Sequence, residues 1–131
     1  MTEPTKDRPG VVVVAEDDTP VREVIVRLLA RAGYTVLSAV DGREALELIV
    51  GQHVDVLVSD VVMPGLAGPD LARLVRQRFP ATGVVLITGY SPDSIDVADL
   101  LEGGARVVGK PFAAGDLIGA VEDVRARPPA V

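Results

Sequence analysis

The chain has 131 residues, of which 48% are hydrophobic, so it is the size of one domain that can bury roughly two-thirds of its unfolded surface. Nineteen Asp and Glu against thirteen Lys and Arg leave a formal net charge of −6, and only two Tyr, two Phe and no Trp are available for base stacking, so direct nucleic-acid binding is not expected. The absence of Cys excludes disulfides and thiolate metal sites, and the absence of an apolar stretch of about 18 residues predicts no membrane span.

The first part of the chain predicts two strands, each followed by a helix. Residues 11–15 form a continuous Val-rich run, typical of a strand buried on both faces of a parallel sheet. Thr19 is the expected N-cap of the next helix, with Pro20 at the first helical position and Gly33 at its end. Residues 35–40 are the second strand, and Asp41 with Glu44 resembles a capping box that opens the second helix.

The rest of the chain continues the same alternation. Strands are predicted at 54–59, 84–87 and 106–108, and helices are predicted from Pro69, from Ser91-Pro92 and over about 113–124. Five strands alternating with helices predict an α/β fold, with a doubly wound, five-stranded parallel sheet and helices on both faces. We expect a domain over residues 10–125, a disordered tail at 1–9 and a frayed end at 126–131.

Reactive side chains stand at the ends of four of the predicted strands. Glu16 and Asp17 follow the first strand, Asp60 the third, Thr88 the fourth and Lys110 the fifth. Ligand sites of open parallel sheets lie outside the carboxyl ends of the strands, so we expect these groups to form one site.

The residue types indicate phosphoryl transfer. Crowded carboxylates are unfavourable unless a cation sits among them, and oxygen ligands without His or Cys suit Mg²⁺. Thr88 and Lys110 can offer a hydroxyl donor and a positive charge to phosphate oxygens. The set contains no general base, so Asp60, which stands alone beside a Pro/Gly loop, is the candidate nucleophile.

Each of these residues also has a purely structural interpretation. The acid pair can be helix-start residues favoured by the helix dipole, Asp60 a turn residue, Thr88 an ordinary strand residue and Lys110 a surface charge. The functional interpretation depends on all of them occurring in one chain.

Four segments in order resemble the receiver domain of two-component response regulators. They are VVVVAEDD at 11–18, DVLVSDVVMPG at 55–65, VLITGY at 85–90 and VGKPF at 108–112. The resemblance spans about residues 11–124 and implies a flavodoxin-like strand order of 2-1-3-4-5. In style the segments are most similar to receivers of hybrid histidine kinases or to stand-alone single-domain regulators.

The resemblance also implies a chemistry and a role for each residue. It implies an aspartyl phosphate on Asp60, formed from a phosphohistidine of a histidine kinase or a histidine phosphotransfer protein, in a phosphoacceptor rather than a turnover enzyme. The chain would be cytoplasmic and would signal by protein contact, with a phosphorylation-dependent dimer through helix 4, strand 5 and helix 5. The implied direct ligands of Mg²⁺ are Asp17, Asp60 and the Val62 carbonyl, and Glu16 would bind the ion through a water molecule. Thr88 and Lys110 would contact the phosphoryl group. The Lys110-Pro111 peptide would be cis.

Two features depart from the family pattern. Val107 stands where receivers usually carry the Tyr or Phe of their switch, so the family's aromatic step is not available. In the predicted fourth helix, acids recur every three residues, which indicates either a solvated face or a marginally stable one that reorders or meets a basic partner. These acids are Asp93, Asp96, Asp99 and Glu102.

Two other classes of protein share features with this sequence. A phosphatase of the haloacid-dehalogenase type needs a second acid two residues after its nucleophile, and that position is Val62. A receiver-fold interaction module that works without phosphorylation would typically lack one of the acids, the hydroxyl or the lysine, whereas this chain keeps them all. The second alternative stays open at the level of sequence.

Overall fold

A computed structural model describes residues 10–91 and 94–125, and the predicted tails at 1–9 and 126–131 lie outside this part. Strands and helices alternate along the described chain, as the sequence predicts. The elements are β1 (Val11–Ala15), α1 (Thr19–Arg31), β2 (Thr35–Ala39), α2 (Gly42–Gly51), β3 (Val56–Asp60), α3 (Gly68–Arg78), β4 (Gly83–Thr88), α4 (Ala98–Glu102), β5 (Arg106–Gly109) and α5 (Ala114–Arg125).

The strands form one parallel sheet in the order β2-β1-β3-β4-β5, which confirms the predicted fold class. Alternate strand residues point to opposite faces, so each face of the sheet builds its own core. One core packs against α2, α3 and α4, and the other packs against α1 and α5. In the central strand β3 every residue is buried, because helices cover it from both sides. Each fully buried Val or Leu there stabilises the fold by about 1.5–3 kcal/mol.

The helix caps match the prediction in one case and correct it in the other. Asp18, rather than Thr19, is the N-cap of α1: its backbone is extended and its carboxylate accepts a hydrogen bond from the Val21 amide at 3.1 Å. Thr19 is already the first helical residue. Asp41 caps α2 as expected, because its carboxylate accepts from the Glu44 amide at 2.8 Å.

The fourth helix is shorter than predicted. It begins at Ala98 instead of following directly on Ser91-Pro92, a region of which residues 92 and 93 lie outside the described part. Ser94 turns back on Ser91, donating to its carbonyl from both the amide at 2.9 Å and the hydroxyl at 2.7 Å. The helix starts only after Val97, which is buried in the core. Within residues 94–97, a local turn therefore stands in place of the expected helix.

Two arginines on α3 hold the short helix α4. Arg73 binds both carboxylate oxygens of Asp99, at 3.1 and 3.0 Å, and donates to the Asp96 carbonyl at 2.6 Å. Arg76 donates to the Asp99 carbonyl at 2.7 Å. The hydrogen bond from Arg73 lowers the pKa of Asp99. We call these contacts the arginine clamp. One acid of the predicted acidic face, the half-buried Asp99, is thus paired with α3, while Asp96 and Glu102 are exposed.

No helix within the described ranges is both long enough and apolar enough to cross a membrane.

Replacement of Asp99 by Ala is expected to loosen α4, because the clamp then loses its carboxylate. Amide hydrogen exchange should become faster at Leu101 and Gly103, whose amides bond to carbonyls within this turn. Glu102→Ala is the matched control, since it removes an exposed acid from the same helix and should leave the exchange unchanged. Equal exchange in the two variants would show that the clamp does not hold the helix.

Candidate functional site

The carboxyl ends of four strands meet at one edge of the sheet. Asp60 and Thr88 are the last residues of β3 and β4, one residue further into their strands than predicted, and Glu16 and Lys110 directly follow β1 and β5. Because the sheet is parallel and β1, β3, β4 and β5 are neighbours in order, these residues stand side by side. The tertiary structure therefore brings together the side chains that the sequence singled out.

Glu16 is almost completely buried, with 1% of its surface exposed. Its amide donates to the Ala39 carbonyl on β2 at 3.1 Å, which continues the sheet by one residue beyond β1. One carboxylate oxygen, Oε2, accepts from the Asp18 amide at 3.2 Å. Burial raises the pKa of Glu16, and the hydrogen bonds from Asp18 and Lys110 offset this only in part.

Lys110 bridges the two buried acids. Its Nζ donates to Glu16 Oε1 and to Asp60 Oδ2, both at 3.1 Å, while 26% of its side-chain surface remains exposed. Burial disfavours the ammonium, but the two carboxylates outweigh this, so the pKa of Lys110 is raised. The lysine is therefore charged at neutral pH and holds both carboxylates in place.

Thr88 is buried beside this cluster. Its Oγ1 accepts a hydrogen bond from the Tyr90 amide at 2.9 Å, which leaves the hydroxyl proton for another acceptor. The Thr88 carbonyl accepts from the Lys110 amide at 2.7 Å, so the strand ends of β4 and β5 are joined at this level. The Lys110-Pro111 peptide bond is cis. The Tyr90 side chain is exposed rather than folded over the cluster.

Three carboxylates are close enough to share a cation. Glu16, Asp17 and Asp60 each offer an oxygen, and these oxygens lie within 4.8 Å of one another. Lys110 neutralises only one of the three negative charges, so the cluster keeps an excess that favours a divalent cation. An all-oxygen donor set of this kind fits Mg²⁺. Val62 lies in the loop after Asp60 with an exposed side chain, and its carbonyl ligand role remains a prediction.

Gly68 shapes the backbone beside Asp60, although it is not among the predicted site residues. A β-carbon at this position would lie 2.1 Å from the Asp60 carbonyl oxygen, and the Gly68 amide donates to the Val61 carbonyl at 3.0 Å. Only glycine lets the start of α3 approach the backbone of β3 so closely. The only sequence signal for this role is the position of Gly68 directly before Pro69, where the third helix is predicted to start.

Gly68→Ala is expected to lower the free energy of unfolding by about 1–3 kcal/mol, because the added methyl group forces α3 away from Asp60. Gly119→Ala is the matched control, since a β-carbon there meets nothing within 4 Å and should stabilise α5 by about 0.5–1 kcal/mol. Urea unfolding of both variants measures the difference. An unchanged or increased stability of Gly68→Ala would contradict the close approach.

Removal of the bridging ammonium should leave two buried acids without their shared donor. We expect Lys110→Met to lower the free energy of unfolding at pH 7 by about 1–3 kcal/mol, and the further change Glu16→Gln to restore part of it. Arg106→Met, which removes a cation from the exposed pair with Asp123, should change it by less than about 1 kcal/mol. Equal effects of the two single variants would show that the bridge does not stabilise the fold.

Comparison with known proteins agrees on one family. The family model described as the response regulator receiver domain matches residues 12–122. The DNA-binding transcriptional regulator NtrC of Escherichia coli is 35% identical over 113 residues, which cover 86% of this chain and 24% of NtrC. The response regulator receiver protein CpdR of Brucella abortus is 32% identical over 85% of this chain and 92% of its own length.

Solved structures show the same likeness. The response regulator TrrA of Thermotoga maritima, solved in complex with Mg²⁺-BeF, has a TM-score of 0.79 and 26% identity, and the match covers 88% of this chain and 98% of TrrA. The chain spans about a quarter of the length of NtrC but nearly the whole length of CpdR, so the likeness to NtrC concerns one of its parts. The match over residues 12–122 shows that this chain belongs to the response regulator receiver domain family of two-component systems.

Proposed function

We propose that this chain accepts a phosphoryl group on Asp60 in a two-component phosphorelay. The observation that carries the proposal is the convergence of Glu16, Asp17 and Asp60 on one point, with Lys110 bonded to two of them. The donor would be a phosphohistidine of a histidine kinase or of a histidine phosphotransfer protein, the partner class that a receiver domain implies. The proposed unit is residues 10–125, acting in the cytoplasm.

Asp60 is the proposed nucleophile because its two carboxylate oxygens have different surroundings. Oδ2 is held by Lys110, whereas in the described part of the chain no protein donor binds Oδ1. In the transfer, a carboxylate oxygen of Asp60 forms a bond to phosphorus while the bond from phosphorus to the partner's imidazole nitrogen breaks, and the imidazole leaves with the electron pair. The product is an acyl phosphate on Asp60 and a histidine that takes up a proton.

The other residues would position the reacting groups and balance their charge. Asp17, Asp60 and the Val62 carbonyl would hold Mg²⁺ directly, and Glu16 would hold it through water. When bound, Mg²⁺ neutralises charge on the phosphoryl oxygens. The hydroxyl proton of Thr88 is available to one phosphoryl oxygen, and Lys110 would move its contact from Asp60 to another. The likeness to TrrA, which binds Mg²⁺-BeF in its solved structure, supports this assignment.

Phosphorylation would have to reach the output surface without an aromatic switch. Val107 is partly buried, and it lies opposite Leu86 in the core that packs against α2, α3 and α4. A Val side chain cannot turn inward to fill the space that Thr88 would vacate, as an aromatic ring would. A dimer through α4, β5 and α5 stays a prediction, and contact with a partner protein through these elements is the proposed output.

The proposal is tested by incubation with acetyl phosphate and Mg²⁺, followed by intact mass measurement. We expect the wild type to gain one phosphoryl group and Asp60→Asn to gain none, because the amide is not a nucleophile of this kind. Asp96→Asn is the matched control, since it replaces an exposed acid away from the cluster and should be modified like the wild type. Removal of Mg²⁺ with a chelator should abolish the gain.

Failure of the wild type to gain mass, under conditions that modify another receiver domain, would contradict the proposal. The receiver-fold interaction module that works without phosphorylation would then be the better account. A gain that persists in Asp60→Asn would place the phosphoryl group on a different residue.

A further inference from the structure

Glu16 is held through its backbone as well as through its carboxylate. Its carbonyl oxygen accepts a hydrogen bond from Nη1 of Arg22 at 2.8 Å. Arg22 lies in the first turn of α1, and its side chain reaches back to the junction between β1 and α1. There Nη2 donates to Thr19 Oγ1 at 3.2 Å. The guanidinium is thus tied to the junction at two nitrogens, which restricts its rotation.

Asp17 has no comparable side-chain contact. Glu16 and Asp60 are both bound by Lys110, but no donor in residues 10–91 or 94–125 hydrogen-bonds the exposed Asp17 carboxylate. Its oxygen nevertheless lies within 4.8 Å of oxygens from both other acids. The direction of this side chain therefore depends on the backbone that carries it.

That backbone is the peptide group on which Arg22 acts. The Glu16 carbonyl and the Asp17 amide belong to one planar unit, so the direction of the carbonyl determines where the Asp17 α-carbon lies. The Glu16 amide is bonded to the Ala39 carbonyl on β2 at 3.1 Å, which holds the other side of the residue. The two bonds therefore hold the peptide units on either side of the Glu16 α-carbon, and only the bond from Arg22 acts on the Glu16-Asp17 peptide itself.

We propose that Arg22 is a positioning residue for the cation site, which aims the Asp17 carboxylate at those of Glu16 and Asp60 by holding the Glu16 carbonyl. The inference rests on the proposed function, because it assumes that the three acids bind Mg²⁺. Arg22 does not touch the cation or the phosphoryl group. Its effect is the preorganisation of an acid whose carboxylate has no hydrogen-bond donor among the described residues.

The direction in which Mg²⁺ affinity changes when the Arg22 guanidinium is removed distinguishes a positioning role from a purely electrostatic one. A guanidinium near the acids repels a divalent cation, so if charge alone mattered, its removal would strengthen Mg²⁺ binding. If Arg22 positions Asp17, its removal weakens Mg²⁺ binding despite the lost repulsion. The two mechanisms therefore predict opposite shifts of the dissociation constant.

The test measures Mg²⁺ binding by titration calorimetry without any phosphodonor. Arg22→Met keeps a long side chain and removes the donors, and we expect it to weaken Mg²⁺ binding about 10-fold, the lower end of the effect of groups that orient metal ligands. Arg27→Met is the matched control, because Arg27 is exposed on the same helix and lines the same groove as Arg22. It loses the same charge and should bind Mg²⁺ as the wild type does, or slightly more tightly.

Thermal unfolding of both variants checks that each is folded at the titration temperature. If Arg22→Met does not fold, Arg22→Lys replaces it: the charge is kept but the two-nitrogen contact is lost, so weaker binding can only come from geometry. Equal Mg²⁺ affinity of the Arg22 and Arg27 variants overturns the positioning role alone. A wild type that binds no Mg²⁺ and gains no phosphoryl group overturns both this inference and the proposed function.

Discussion

The contact of the Lys110 ammonium with Glu16 and Asp60 is the interaction on which the site depends. Glu16 and Asp60 lie 94 and 50 positions from Lys110 in the sequence, so only the parallel sheet brings the three residues together. Two buried carboxylates side by side repel each other and lose hydration, and a shared cation offsets both costs. Lys110 therefore fastens the ends of β1, β3 and β5 to one another. Lys110 neutralises one of the three negative charges of Glu16, Asp17 and Asp60, and the exposed Asp17 adds to the excess that remains. This excess of negative charge is the electrostatic basis for expecting a divalent cation.

Around this contact the protein restricts the site by close backbone approaches rather than by large side chains. Gly68 allows α3 to touch the backbone of Asp60, and Arg22 holds the carbonyl of Glu16 from α1. Both contacts act on the peptide units that carry the acids, and peptide planarity passes the constraint on to the side chains. The helices on the two faces of the sheet therefore contribute to the geometry of the site as well as covering the core.

The output side of the molecule is organised differently. Val107 fills its place in the core beside Leu86, and the arginine clamp fixes α4 to α3 through Asp99. Receiver domains usually carry an aromatic ring at the position of Val107, between the phosphoryl site and this surface. Here the candidate connection from Thr88 to α4 passes through the loop that contains Tyr90 and Ser94, because this loop begins at Thr88 and leads into the clamped helix.

The amino-acid sequence by itself determined the fold class and the residues that meet at the sheet edge, because buried Val-rich runs and strand-end acids are local signals. The strand order was implied only by the family resemblance, since local signals do not say which strands are neighbours. It placed Asp41 correctly as a cap, but it assigned the first cap to Thr19, since Asp18 and Thr19 are both good caps and only the observed backbone distinguishes them. Only the tertiary structure decided that α4 begins at Ala98, that Asp99 is paired across to α3 and that Arg22 reaches the Glu16 carbonyl. Each of these depends on the distance between elements far apart in sequence or on a side-chain rotamer, and periodicity and propensity contain no information on either.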